Sequence, residues 1–150
     1  SHHLRKGNYR DKQIQIEIQN RSDKGELQVL ANELMLDVFE NILLNAVEYN
    51  ENEIVQIKIV LSEEDDQDMP YIKMEFKNNG IGIEDDRKES IFQVDMNGCK
   101  YSKRMGLGLS LVAKFLDLCE GKIWVEDRVP TDYTQGSNFI VLIKQTGHKN

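Results

Sequence analysis

Cysteine is almost missing from this chain. Cys99 and Cys119 are the only two, and neither has a metal-ligand neighbour at Cys-x-x-Cys spacing, so a zinc site of that kind is excluded and free thiols in a reducing compartment are expected. Long apolar runs are missing too. No stretch approaches the ~20 residues that cross a bilayer, and the N-terminal region lacks a signal peptide's apolar segment. A membrane attachment of the natural protein would therefore lie outside this sequence. Basic charge is in deficit, with 19 Lys and Arg against 26 Asp and Glu and a net charge of -7. That balance excludes a general affinity for nucleic acid, which needs a basic face for the phosphates. No internal repeat or interdomain linker is present.

What remains is an acidic globular chain of 150 residues, 39% hydrophobic, long enough for one full core and too short for two. Residues 1–11, with His2 and His3, read as a disordered or artificially added terminus. The domain runs over 12–146 and a tail over 147–150. Ile14, Ile16 and Ile18 alternate as a half-buried strand. Asn20 to Gly25 form a polar turn and Leu27 to Leu30 a short extended piece. Leu34, Val38, Ile42, Ala46 and Tyr49 then recur at helical spacing, predicting a helix over about 32–49. Val55 to Leu61 and Ile72 to Phe76 alternate as two strands. The acidic run Glu63 to Asp68 between them lacks the glycine and ligand spacing of a calcium loop and reads as a solvated hairpin tip. Glycines at 80 and 82 mark a tight turn, Asp85 to Phe92 a short helix, and 93–105 a polar connection. A helix over 107–119 stops at Gly121, and strands over Lys122–Glu126 and Asn138–Lys144 follow, the second after a turn at Gly136. Trp124 alternates as strand core, with burial its expected role. Runs of strands rather than strict alternation point to an α+β two-layer sandwich.

Two features carry chemistry. Asn41 and Asn45 lie one helical turn apart on an otherwise apolar helix, which stacks their amides on one face. Neutral oxygen donors suit a Mg²⁺ ion that phosphates also hold; amides that bridge buried backbone groups are the alternative. Gly106 and Gly108 open a helix, where close backbone approach and free N–H groups suit an anion. The preceding stretch is polar and Leu111 stands where a dinucleotide fingerprint needs its third glycine, so a glycine-rich helix start packed on the sheet is equally open. Leu111, Phe115 and Leu118 form a second apolar stripe on the same helix, either core or a docking face for a helical neighbour.

Taken together, Asn-x-x-x-Asn-Ala on a helix, Asn-Gly-x-Gly-Ile after a strand, Gly-Leu-Gly-Leu opening a helix and Gly136-Ser-Asn-Phe139 entering a last strand resemble the ATP-binding catalytic domain of sensor histidine kinases. Those domains belong to a superfamily of ATPases and kinases (GHKL) shared with gyrase, MutL and the large heat-shock chaperones. The resemblance spans about residues 12–144. It implies a Bergerat-type fold, a mixed and mainly antiparallel sheet of about five strands on two long helices and a short one. It implies ATP or ADP with Mg²⁺, the ion on Asn41 and Asn45, and Tyr49 near the nucleotide. Asn78, Gly80, Gly82 and Ile83 would form the adenine pocket, and Gly106, Leu107, Gly108 and Leu109 would meet the triphosphate. Residues between Phe92 and Met105 would be a lid whose Lys100, Lys103 and Arg104 counter phosphate charge; an exposed basic loop is the other reading.

The chain departs from the family pattern at three places. Asn78 stands where Asp is usual, and its amide oxygen would accept from the adenine amino group. Glu48 stands where Lys is common. The second aromatic near Phe92 and a glycine before Gly106 are missing, with Asp95 and Arg104 nearby. The implied reaction is transfer of the ATP γ-phosphoryl group to a histidine on a separate helical dimerisation domain of the same protein, with a response regulator downstream. His148 and the His2-His3 pair lie outside helical patterns and are not candidate acceptors. The expected fragment is cytoplasmic and monomeric, with no nucleic-acid partner and no direct membrane contact. Two rivals remain. One is an ATP-hydrolysing relative, disfavoured because Glu40 lies about 100° around the helix from Asn41, where a general base would stand. The other is a degenerate interaction module without kinase activity.

Overall fold

A computed structural model describes residues 2–4, 12–21, 33–93 and 108–145, with 2–4 and 33–35 described by backbone alone. The elements are β1 (His2–Leu4), β2 (Gln13–Asn20), α1 (Glu33–Glu48), β3 (Ile54–Asp66), β4 (Met69–Asn78), α2 (Gly108–Leu118), β5 (Lys122–Val129) and β6 (Asp132–Lys144). The strands make one sheet in the order β1-β2-β3-β4-β6-β5. Only β2 and β3 run parallel, across the crossover that contains α1; the other neighbours are antiparallel. The α+β sandwich expected from the sequence is therefore present. The stretch set aside as a terminus contributes one short strand, since His2–Leu4 pairs with Ile14 to Ile16.

Both helices lie on one face of the sheet. Val38 and Ile42 of α1 meet Leu109, Val112 and Leu116 of α2 over Ile72, Met74, Phe76, Phe139 and Val141. A smaller cluster joins Ala46 and Val47 of α1 to Ile14, Ile16, Val55 and Ile57. Ile42 and Leu116 are fully buried, each contributing about 1.5–3 kcal/mol of transfer free energy. These residues are the ones that recur at helical and alternating spacing in the sequence, so periodicity and burial agree.

The acidic run forms the end of the β3–β4 hairpin, as expected, but as strand: residues up to Asp66 stay paired. Gln67 and Asp68 alone turn the chain, both at positive φ (53° and 66°), the twist-matched geometry of a two-residue hairpin. Asp85 to Phe92 is not one helix. It is two single 3-10 turns, Asp85–Arg87 and Ser90–Phe92, in which Ile91 reaches the core with Phe92 partly buried beside it while Glu89 and Ser90 stay exposed. Gly136 does not turn the chain either. The turn falls at Pro130-Thr131, and Gly136 sits inside β6, where the β5–β6 register shifts between Asp127 and Val129. There Asp127 faces Ser137 and Val129 faces Asp132, so β6 carries extra residues against β5, and such breaks in register re-aim strands.

Trp124 departs from its expected role. Its register partner is Ile140, on the sheet face away from the helices, where it is only half-buried and its indole N–H donates to Glu126 Oε2 at 2.9 Å. Val125, one residue on, faces the core instead. Gly121 stops α2 as expected, yet the left-handed residue there is Glu120 (φ 63°). A Cβ on Gly121 would lie 2.7 Å from the Leu142 carbonyl, so the glycine is required for close approach to β6.

Candidate functional site

Between the C-terminal half of α1 and the sheet end lies a cavity of about 160 Å³, lined by Asn45, Ala46, Tyr49, Asn78, Ile81, Gly82, Ile83, Arg87, Ile91, Leu109, Ser137 and Phe139. Four separate stretches build it. α1 and the residue just after it bring Asn45, Ala46 and Tyr49, the segment after β4 brings Gly82, Ile83 and Ile91, α2 brings Leu109, and β6 brings Ser137 and Phe139. Such a mostly apolar chamber with a few polar groups suits a flat heterocycle.

The loop after β4 is held in shape by three glycines. Gly82 takes φ 82°, and a Cβ there would lie 1.7 Å from the Tyr133 carbonyl; Gly136 takes φ 114°, and a Cβ would lie 2.0 Å from the Asn78 carbonyl. A Cβ on Gly80 would meet the Tyr49 carbonyl at 2.6 Å. That carbonyl accepts the Ile81 N–H at 3.1 Å, so the end of α1 and the loop are joined directly. Left-handed backbone with no room for a side chain admits only glycine.

An asparagine clamp fixes the same corner. Asn50, 2% exposed, donates to Asn79 Oδ1 at 2.7 Å and accepts from the backbone and side chain of Asn52 at 3.0 Å. Asn79 Oδ1 also accepts the Gln56 N–H at 3.0 Å, and Asn79 Nδ2 donates to the Ile54 carbonyl at 3.2 Å. Lys12 Nζ donates to the Asn50 carbonyl. The sequence presents Asn50 to Glu53 only as a polar helix end; a buried role for these amides carries no periodic signal.

The opposite wall is ionic. Lys88 follows the first 3-10 turn and pairs with Asp127 of β5 at 2.9 Å and with Asp85, and it donates to the Ile83 carbonyl at 3.1 Å. Burial works to lower its pKa, but hydrogen bonds and charge from Asp85 and Asp127 hold it above its ordinary value. Tyr133, whose carbonyl touches Gly82, donates its hydroxyl to Glu84 at 3.3 Å, and the Glu84 charge holds that phenol above its usual value.

The structure brings Asn45, Tyr49, Asn78, Gly82, Ile83 and Leu109 together around one cavity, with Gly80 supporting its floor. Asn41 lies one turn away in a groove between α1 and α2, lined also by Asp37, Val38, Leu111, Phe115 and Leu118. Its amide nitrogen donates to the Asp37 carbonyl at 2.8 Å, which leaves its oxygen directed elsewhere. Gly108 is buried at φ 73° and begins α2. Lys100, Lys103, Arg104, Gly106, Leu107 and the expected lid lie outside the described residues. Leu111 and Leu118 are exposed at 46% and 78%, so the second stripe of α2 is not core, whereas Phe115 packs against the core. Among residues not singled out for the site, Ser137, Phe139, Ile91 and Arg87 line the cavity. The Gly136-to-Phe139 motif was the signal for two of them.

Asn78 holds one surprise. It is 5% exposed, and its Oδ1 accepts the Gly80 N–H at 2.8 Å and the Ser137 N–H at 3.4 Å. The oxygen expected to receive an adenine amino group is thus already engaged by the backbone.

A helix asparagine, a glycine loop, a second helix start and the last strand meet here at one cavity, and residues 30–147 match the family model for histidine kinase-, DNA gyrase B-, and HSP90-like ATPases. The chain belongs to that family. The domain is 32% identical over 115 residues to cyanobacterial phytochrome B of a Nostoc species, covering 72% of this chain and 14% of that protein. It is 25% identical over 138 residues to the autoinducer 2 sensor kinase/phosphatase LuxQ of Vibrio parahaemolyticus, covering 89% of this chain and 16% of that protein. The match thus spans about a sixth or less of these relatives. The catalytic domain of histidine kinase ThkA superposes with a TM-score of 0.63 at 28% identity, covering 87% of this chain and 79% of that one. ThkA has also been solved in complex with a response regulator protein, TrrA, and there the match has a TM-score of 0.61 at 28% identity, covering 90% of this chain and 36% of that one. This is a histidine kinase-type ATPase catalytic domain. Among the described residues no helix is long and apolar enough to cross a membrane.

Proposed function

We propose that this domain binds a Mg²⁺–nucleoside triphosphate, as the ATPase family match supports, and delivers the γ-phosphoryl group to a histidine on a separate helical dimerisation domain of a cytoplasmic signalling kinase, which passes it to a response regulator. The observation that carries this reading is the cavity itself, in which Asn45, the Asn78-to-Ile83 loop and Leu109 converge from three distant stretches. The apolar chamber accepts the base. The triphosphate extends toward the start of α2, where helix N–H groups favour an anion.

Asn45, and Asn41 one turn earlier, would hold Mg²⁺ through their amide oxygens. The donor set fits: both are hard neutral oxygens, and the Asn41 nitrogen is occupied by the Asp37 carbonyl. When bound, the ion supplies charge neutralisation to the phosphates. The chain's own part is to orient the nucleotide and exclude water from its base. The exposed Leu111 and Leu118 offer the helical partner an apolar face beside the cavity. Glu40 lines a different groove, against Ile14, Ile16 and Leu43, which supports transfer to a protein acceptor over hydrolysis by a glutamate base.

The test is phosphorylation of the supplied histidine domain of the parent protein, with Mg²⁺ and labelled triphosphate. Label on histidine that Asn45→Ala abolishes is the expected result. Tight nucleotide binding without transfer would make the domain a nucleotide sensor, and no nucleotide binding at millimolar concentration would leave an interaction module.

A further inference from the structure

Asn78 sits at the floor of the base cavity with its two amide atoms in different situations. Its oxygen accepts two backbone N–H groups, from Gly80 at 2.8 Å and Ser137 at 3.4 Å. Among the described residues its nitrogen donates to none. The orientation of the amide is decided by those two donors: turning the group over would bring an NH₂ against two N–H groups and leave both unmatched. Gly80 and Gly136 let the backbone that carries these donors approach Asn78 this closely: a Cβ on Gly80 would lie 2.9 Å from Asn78 Oδ1, and one on Gly136 2.0 Å from the Asn78 carbonyl. The side chain therefore presents a hydrogen-bond donor, and no acceptor, to whatever enters the cavity.

Adenine carries an amino group at C6, which also donates. Placed against Asn78 it would leave two buried donors facing each other. A purine with a carbonyl at C6 places an acceptor there. Ser137, the neighbouring polar side chain of the cavity, carries a hydroxyl that can donate or accept, so it serves the N1 of either base. Discrimination is thus concentrated at the C6 substituent.

We infer that Asn78 makes this site select a 6-oxopurine nucleoside triphosphate over ATP. The inference rests on the nucleotide-binding reading above and specifies the base. A carboxylate at this position would use one oxygen for the Gly80 and Ser137 N–H groups and turn a second acceptor to the base. The amide replaces that second acceptor with a donor, without changing shape.

The experiment compares ATP and ITP, which differ in the group at C6, on the wild-type chain and on Asn78→Asp, by calorimetry with Mg²⁺. Circular dichroism and a melting curve of each protein confirm the fold. Wild type is expected to bind ITP about 10- to 100-fold tighter than ATP, the cost of one unmatched buried donor pair, and Asn78→Asp to reverse the order. Equal affinities, a preference of the wild type for ATP, or a ratio that Asn78→Asp leaves unchanged would overturn the inference while leaving nucleotide binding intact. A wild type that binds neither nucleotide beside an Asn78→Asp variant that binds ATP would also overturn it, showing that Asn78 closes the site. Binding of neither nucleotide by either folded protein would remove the nucleotide reading itself.

Discussion

The two walls of the base cavity are held by different chemistry. On the α1 side, Asn50, Asn52 and Asn79 bond to one another and to the backbone of β3, all with neutral amides. On the β5 side, Lys88 joins the 3-10 segment to Asp127, with both side chains 17% exposed. The amide–amide and amide–backbone bonds of the clamp keep their geometry across pH and salt, because amides do not titrate. An ion pair at a partly open surface gains little and is screened. The side that sets the glycine loop is therefore fixed, and the side where the 3-10 segment meets β5 is conditional.

The strongest way to break the contrast is at the corner both walls share. Gly136→Ala places a Cβ 2.0 Å from the Asn78 carbonyl at φ 114° and is expected to cost at least ~3 kcal/mol; urea unfolding measures it. Next, Asn79→Ala removes bonds to Asn50, Gln56 and Ile54 and leaves the buried Asn50 amide short of a partner. A loss of about 2–3 kcal/mol is expected, unchanged between pH 6 and pH 9 in the same assay, at roughly neutral values where no amide titrates.

Lys88→Met is the smallest of the three, about 1 kcal/mol at neutral pH. Here the sign follows from the raised pKa of Lys88 in the fold. Its contribution is fully present below the unfolded value of about 10.4 and disappears as pH rises through the higher folded value. Wild type and Lys88→Met should therefore converge in stability in that alkaline window. A gap that persists there would assign the effect to packing of the lysine stem.

Elements with strong periodicity were legible in the sequence. Alternation at Ile14 to Ile18 and helical spacing from Val38 to Tyr49 became β2 and α1, because burial of one face drives both the pattern and the fold. Features set by a single close approach were not. Gly136 reads as a turn glycine, yet it lies within β6 because the Asn78 carbonyl occupies the space of its side chain. Trp124 sits on an alternating strand, but alternation does not say which face the helices cover. At the site, motif order located the cavity. Which atom of Asn78 faces the base depended on a backbone donor from Ser137, a residue 59 positions away, and no local pattern encodes that.

That separation also orders events in time. The β3–β4 and β5–β6 hairpins close over short stretches of chain, whereas β4 meets β6 only through pairs such as Tyr71 with Lys144. Contacts so distant in sequence form late, after the loop between them has lost its freedom. The base cavity is complete only when β6 has docked. A nucleotide added to the refolding chain would accordingly bind a finished molecule, slowing its unfolding rather than hastening its assembly.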